Sequence, residues 1–500
     1  MEAVKGLYQG STEAGPDLTR FQARRAFGDL ESWVVSEEAL GLAEHEVEAQ
    51  IERRGREVMR LTLQAHLNQR GTGRVGEAVV VQQAQGAALR QPERRVRSRT
   101  IRSIFGRVRA ARTAYMEAGS ASVHPLDEEL ELPGRSHSYE EQRREVGEAV
   151  RGPYEEATGS LEAQTGEALA KRSAQEIVRD AAVDFDAFYE QRKAFPAGET
   201  GPIVVASVDG KGIPMVKPQK AEHRVRLKKG EKTNKKRMAT VAAVYTQGRR
   251  IRTPQEVLES LFDGKRPEGK APAHAEHKRV WASLHKGKDE VIAQAGAEAD
   301  RRDPERVKTR AAVTDGERAL QQRVRKQMPG VLLILDLVHA LERLWIGAHA
   351  LYAEGSAESV AWVRSHALAM LEGKVSQVVK GMRQSATKRG LRGGRRRAIL
   401  AASAYLYRNR RYMRYGEYLA AGLPIASGAV EGACKNLVKD RMERSGMRWT
   451  EDGAEAILKL RALKLSGDLE EYWRFHIRQD QLRLYGSRPS PSATIRMASS

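Results

Sequence analysis

Three acidic residues stand where a strand is expected to end or a helix to begin: Asp209, Asp315 and Glu431. Asp209 closes the apolar run 203–208 and is followed by Gly210, which lets another chain come close. Asp315 sits in Thr314-Asp315-Gly316, at the end of the apolar stretch 307–313. Glu431 falls in the first turn of a helix opened by Ser427 and Gly428, near its positive end, where a carboxylate is favoured. The spacings are 315−209 = 106 and 431−315 = 116 residues. Carboxylates that converge from several elements can hold two divalent cations about 3.5–4 Å apart, the arrangement that drives metal-assisted phosphoryl transfer. Mg²⁺ suits such a site, because it keeps waters and takes only one or two carboxylates per ion. No covalent intermediate on the protein is needed. The chain holds 65 acidic residues, and Asp-Gly at 209 and at 315 is also a turn signal, so spacing alone does not select these three.

The elements that would carry them follow in order. Residues 203–208, 211–217 and 238–246 read as three strands of a meander. Between the last two, residues 217–237 hold ten Lys/Arg, a basic loop beside Asp209 that either meets phosphate or is simply solvated. Thr253-Pro254-Gln255-Glu256 is a capping box with proline in the first helical position. A long helix is expected over about 275–300, then a strand at 307–313 and a basic helix at 317–328. Pro329–Gly330 breaks that helix, residues 331–335 form a strand ending at Asp336, and His339 begins another helix. The order predicts a mixed α/β core, antiparallel first and then built by crossovers. Residues 340–425 read as helical, with arginine-rich clusters at 388–397 and 408–414. Thr450 should cap a later helix.

The amino-terminal part is less patterned. Residues 1–35 show no periodicity and are expected to be poorly ordered. A helix with one apolar face follows from Ser36. Residues 100–115 read as a hairpin with a turn at Gly106–Arg107, its second face basic. Ser173 and Glu176 have capping-box spacing. Helix, glycine turn, helix, with Lys171, Arg172 and Gln175 opening the second long helix, resembles a helix-turn-helix, although helical hairpins of this composition are common. A linker spans 192–201, and the tail from 485 is expected to be disordered.

The chain of 500 residues carries a net charge of +21, which favours a polyanionic partner, nucleic acid first. A single cysteine, Cys434, excludes a disulfide framework and a cysteine-based zinc finger within the chain, and reads as a packed small residue. There is no signal peptide and no apolar run long enough to span a membrane, so a cytoplasmic protein acting at the nucleoid is expected.

Several motifs together resemble the DDE transposases of bacterial insertion sequences, most closely the Kra subgroup, which is related to the Mutator-like superfamily. They are VDGKG at 208–212, TDG at 314–316, DLVHALERLW at 336–345 and SGAVEGACKNLVKDRMERSGMRW at 427–449. IFGRVRAARTAY at 104–115 and HPLDEELELP at 124–133 are similar to the amino-terminal half of that subgroup. The resemblance implies an RNase H-like core with two Mg²⁺ or Mn²⁺ ions, cleavage of DNA at the element's ends and strand transfer. It implies that Asp209, Asp315 and Glu431 are the catalytic, metal-binding residues. Asp336 is the other candidate for the second Asp, and with His339 it forms an Asp-x-x-His pattern expected to support the site. The DNA-contacting set then comprises Lys171, Arg172, Gln175, Lys228, Lys229, Lys235, Lys236, Arg395, Arg396, Arg397, Arg448 and Trp449. The partners are the terminal repeats and target DNA, and the working form is a homo-oligomer, a dimer. Where relatives carry cysteine pairs before the hairpin, residues 70–99 carry none.

The expected organisation is a helical or flexible region (1–99), a hairpin and helix-turn-helix-like DNA-binding region (100–195), a first part of the RNase H-like core (200–339), a helical insertion (340–425), the core's carboxy-terminal helices (426–484) and a disordered tail (485–500). Two other functions fit the same residues: a catalytically inactive, transposase-derived DNA-binding repressor, and a structure-selective nuclease on the same fold.

Overall fold

The computed structural model describes residues 16–83, 86–196, 198–216, 236–265 and 274–486. The chain divides into two units, one of residues 1–184 with 471–500 and one of residues 185–470. No helix among the described residues is long and apolar enough to cross a membrane.

The first unit begins with α1 (Pro16–Val34), α2 (Glu37–Leu40) and α3 (Glu44–Gln69). Thus part of the stretch expected to lack order is a helix, and Trp33 explains it, because its buried ring anchors α1 and stacks with Arg54 of α3. Strands β1 (Val79–Gln83), β2 (Gly86–Pro92), β3 (Arg97–Ser103), β4 (Gly106–Arg112) and β5 (Tyr115–Met116) follow. β3 and β4 form the expected hairpin, with the turn at Ile104–Phe105 and not one residue pair later. Ile101, Val108 and Ala110 pack with Leu67 of α3, and with Leu126 and Leu132, while Arg107 and Arg109 alternate outward. Helices α4 (Pro125–Glu129), α5 (Tyr139–Ala149), α6 (Tyr154–Thr165) and α7 (Lys171–Ala181) complete the amino-terminal part. Gly166, at φ +73°, ends α6 in the left-handed conformation. Ser173 is not a cap: α7 already starts at Lys171, and Ser173 lies within it.

Helix α5 places charge inside this unit. Glu141 is fully buried, 3.0 Å from His137 Nδ1 and 3.3 Å from the Arg102 guanidinium. One turn further on, Glu145 is also fully buried, and neither of its carboxyl oxygens has a hydrogen-bond partner.

The second unit opens with α8 (Phe185–Glu190) and is built on β6 (Ile203–Pro214), β7 (Lys236–Gln247), α9 (Pro254–Phe262), β8 (Glu276–Ser283), α10 (Lys288–Arg302), β9 (Thr309–Thr314), α11 (Arg318–Gln327) and β10 (Leu332–Leu335). The five strands form one mixed sheet in the order β10-β9-β6-β7-β8. β6 pairs antiparallel with β7, and β7 with β8, whereas β6–β9 and β9–β10 are parallel. Residues 203–208 of β6 are buried at every position, as in a strand covered on both faces. The mixed α/β expectation is met, and the architecture is compatible with an RNase H-like fold.

Two details differ. β6 runs unbroken through Gly210 and Gly212, so residues 211–217 are its second half and not a separate strand. The expected helix at 275–300 is strand β8 followed by α10. β8 is an edge strand whose first three residues, Glu276, His277 and Lys278, are exposed, which hides its strand character in a charged stretch. The predicted capping box at Thr253 and Glu256 is formed, with the Glu256 amide donating to Thr253 Oγ1 over 3.1 Å.

After β10 come α12 (Leu337–Leu351), α13 (Ala357–Leu371), α14 (Val375–Lys388), α15 (Gly393–Asn409) and α16 (Tyr415–Ala420), then α17 (Gly428–Ala433), a π-helical segment (Cys434–Lys439), α18 (Asp440–Met442) and α19 (Glu451–Ser466); α20 (Leu469–Tyr485) belongs from residue 471 to the first unit. α12 packs on α13 and α15, and α14 packs on α15, so residues 337–420 form a helical layer inserted between β10 and α17. α10 covers β6 and β7, and α19 covers β8. Thr450 caps α19 as expected, accepting from the Gly453 amide at 3.3 Å.

Candidate active site at the strand ends

Parallel pairing fixes where the carboxylates fall. Ser207 of β6 is level with Val313 of β9, an offset of 106 residues that also separates Asp209 from Asp315. Leu335 of β10 is level with Thr314, and the Asp336 amide donates to the Thr314 carbonyl at 2.9 Å. Asp315 and Asp336 therefore stand at the carboxyl ends of β9 and β10, beside Asp209 in the middle of β6, two residues past the last one that pairs with β9. With strands about 4.8 Å apart, the outer two are roughly 10 Å apart along the sheet. Crevices at the carboxyl ends of parallel strands are where ligands of open α/β sheets bind.

The three are held differently. Asp209 accepts from its neighbouring Gly210 amide at 2.6 Å through Oδ1, and from the Cys434 thiol at 3.3 Å through Oδ2. Asp315 accepts from the Glu317 amide at 2.9 Å through Oδ1. Burial raises the Asp315 carboxyl, the Glu317 amide opposes the rise, and the Glu317 and Asp209 carboxylates add to it. Asp336 is fully buried and caps α12: Oδ1 accepts from the Val338 amide at 2.6 Å, while Oδ2 takes both the amide (2.7 Å) and the hydroxyl of Ser427. Burial works to raise this carboxyl, but His339, Ser427 and the backbone amides outweigh it and hold it below the usual range.

Ser427 precedes α17, whose first turn carries Glu431 at the surface. The Asp336–Ser427 bonds thus tie the helix bearing Glu431 to the end of β10. One ligand atom each from Asp336, His339 and Glu431 lies within 4.8 Å of the others, a group that could hold a metal ion. Asp336, 3.9 Å away, holds the His339 imidazole up to about 9 against the effect of burial, so it is a cation at neutral pH. Burial raises the Glu431 carboxyl, and the Asp336 and Asp209 carboxylates add to the rise, opposed by His339.

The donor set fits a hard divalent cation. It is carboxylate oxygen, with one imidazole that ligates only once it has lost its proton. Among the described residues Asp209, Asp315 and Glu431 form no ion pair, and burial first, then neighbouring carboxylates, raise Asp315 and Glu431, a cost that a bound cation offsets. The two candidates for the second Asp differ in what they have left to offer. Asp336 spends both oxygens on Val338 and Ser427, whereas Asp315 Oδ2 accepts no hydrogen bond among the described residues.

Sequence reasoning passed over Cys434, which is buried as expected yet touches Asp209. Its position three residues after Glu431, on the same helical face, was the available signal. Burial, and then Asp209, push its thiol far above the usual range, so it is a neutral donor.

Of the residues expected to touch DNA, Lys228, Lys229 and Lys235 lie outside the described residues, as does most of the basic run 217–237. Lys236 pairs with Glu443. Lys171, Arg172 and Gln175 are exposed in the first half of α7, with Lys171 paired to Glu155 at 2.8 Å and Arg172 to Glu176 at 3.2 Å. Arg395, Arg396 and Arg397 are exposed in the first turn of α15, and Arg448 is exposed. Trp449 is a correction. It is buried, its indole N–H donates to the Met442 carbonyl at 3.0 Å, and its backbone pairs with Pro214 and Val216 at the end of β6. A ring that closes the end of a strand is packing and not a DNA contact.

Compared with family models and with curated proteins, the chain matches none. Among solved structures it is similar to the Drosophila P element transposase strand transfer complex, at 7% identity over 70% of this chain and 81% of that one, with a TM-score of 0.25. Neither fold nor function carries over at that level.

Proposed function

We propose that the protein is a DDE transposase of the bacterial insertion-sequence type, with the motif pattern of the Kra subgroup, that binds the ends of its element, cleaves DNA strands and joins them to a target. The observation that carries this reading is the row of carboxylates on three adjacent strands, Asp209, Asp315 and Asp336, with Glu431 of α17 beside Asp336 and His339. In this reading the mixed sheet is an RNase H-like core, residues 200–339 and 426–484 are its two parts, 340–425 is an insertion, and 100–195 binds the element's ends with a helix-turn-helix. The working form is a homodimer at the nucleoid.

Asp209, Asp315 and Glu431 would hold two Mg²⁺ or Mn²⁺ ions, whose chemistry is to activate a water or 3′-hydroxyl and to neutralise charge on the leaving oxygen. Asp336 has another task. It holds Ser427, and through it Glu431, and it keeps His339 protonated beside the carboxylates. A protonated imidazole there offers a positive charge and a donor to the phosphate. The arginines of α15, which are exposed, would neutralise DNA phosphates.

The test is Mg²⁺-dependent nicking of a duplex carrying the inverted repeats that flank the gene. Asp209→Asn, Asp315→Asn and Glu431→Gln should abolish nicking and leave duplex binding intact. A wild-type protein that binds those ends tightly and cuts nothing would establish the repressor reading instead. Cutting that follows branch or flap structure and ignores the repeats would establish the nuclease.

A further inference from the structure

The helical insertion reaches the row of carboxylates. The Gly316 amide, next to Asp315, donates to the Tyr405 hydroxyl of α15 at 3.1 Å. Glycine is required at 316 by this approach, since a Cβ there would lie 2.4 Å from the Tyr405 hydroxyl oxygen and 2.6 Å from Asn409 Nδ2. Asn409 donates to the Tyr405 carbonyl at 3.1 Å and accepts from Gln321 of α11 at 3.0 Å, which fastens α15 to the helix that follows Asp315.

The ring of Tyr405 carries a second group. The Arg343 guanidinium lies over it, 4.5 Å from the ring centroid. Arg343 comes four residues after His339 on α12, so the two cations share one helical face. Arg343 forms no ion pair with an acid among the described residues, and its Nε is buried without a hydrogen-bond partner. A half-buried guanidinium with no acid beside it carries a charge that an anion can meet. Burial raises the Tyr405 phenol to about 12, with Arg343 opposing and Asp315 adding to the rise, which places all three groups in one electrostatic neighbourhood.

We infer that Arg343, held over the Tyr405 ring, is the cation that binds the phosphodiester presented to Asp315, and that Tyr405 positions both Arg343 and the Asp315–Gly316 turn. The guanidinium's place over the ring, with one interaction with the Tyr405 hydroxyl, leaves further N–H groups for phosphate oxygens, which arginine's planar fork can meet in pairs and lysine cannot. A DNA phosphate that approaches several carboxylates needs such a charge close by. The inference rests on the transposase reading and gives the insertion a part in the chemistry as well as a surface.

The experiment pairs protein and substrate changes. Full-length protein is titrated with the flanking-repeat duplex, either unmodified or with a neutral methylphosphonate at the scissile position, and Mg²⁺-dependent cleavage is followed in parallel. Arg343→Ala should weaken binding of the unmodified duplex about tenfold to a hundredfold, the range of one lost charge-assisted contact. The methylphosphonate should weaken wild type by a similar factor and Arg343→Ala hardly further. Arg343→Lys, which keeps the charge, should recover part of the loss. Tyr405→Phe keeps the ring but loses the bond to Gly316, so kcat should fall while KM for DNA holds. If methylphosphonate penalises Arg343→Ala as much as wild type, Arg343 does not touch the phosphate and the inference is overturned. A Tyr405→Phe enzyme with unchanged kcat overturns the positioning role. A wild type that cuts nothing refutes the transposase reading separately, and the binding pairs still decide Arg343.

Discussion

Glu145→Gln should make the protein more stable, and by an amount that depends on pH. Burial, and then the Glu148 and Glu141 carboxylates, push the Glu145 carboxyl up from 4.5 to about 7. Its oxygens accept no hydrogen bond, so nothing offsets the desolvation of the charge. The folded value lies above the unfolded one, so the folded state keeps a proton that the unfolded state releases. Stability is therefore unaffected below about pH 4.5, falls by about 1.4 kcal/mol per unit between pH 4.5 and 7, and levels off above that, a total of about 3 kcal/mol. Glutamine has nearly the same shape and carries no charge, so it removes the cost of burying one. Urea unfolding of the full-length protein, followed by circular dichroism, should show the two proteins alike at pH 4.5 and the variant ahead by about 3 kcal/mol at pH 8.5. The difference between them cancels the other titrating groups. A gap that does not change with pH would refute the reasoning.

Three more outcomes can be checked. Trp449→Ala should cost about 3–5 kcal/mol in thermal or urea unfolding, as for other buried aromatic rings, and Trp449→Phe clearly less, whereas a surface DNA contact would show no such loss. Ser427→Ala removes a hydroxyl donor from the buried Asp336 carboxylate; it should cost about 1–3 kcal/mol and lower cleavage through Glu431 without changing DNA affinity. Replacing Arg395, Arg396 and Arg397 together by alanine should flatten the slope of log K against log salt by about 2.7, roughly 0.9 for each lost phosphate contact, and an unchanged slope would remove α15 from the DNA surface.

Much of the site was legible because strand ends announce themselves chemically. The apolar runs before Asp209, Asp315 and Asp336 end where the carboxylates begin, and pairing aligns those ends. Asp315 and Asp336 could not be separated by sequence, because both close a strand. The structure adds that Asp336 also holds the start of α17 through Ser427. β6 was read as two strands because Gly210 and Gly212 look like a break, whereas their backbones pair with Thr240 and Met238 of β7. Arg343 and Tyr405 carry no spacing signal relative to Asp315, since what joins them is packing between α12 and α15. Trp449 was misplaced for a related reason: exposure is a property of the fold, and a tryptophan in a basic stretch serves a core as readily as a groove.

The bond between Asp336 and Ser427 spans 91 residues of chain, and that between Asp209 and Cys434 spans 225. As the chain leaves the ribosome, the strands can pair long before residue 427 exists. The sheet therefore stands for a time with its carboxylate row in place and no Glu431 to complete it. Contacts this distant in sequence form late and slowly, because the loop between them must close first. Assembly of the full carboxylate set is thus deferred to the final stage of synthesis, after the helical insertion has emerged whole. A chain stopped before residue 427 would keep Asp209, Asp315 and Asp336 and lack the residue that completes the set.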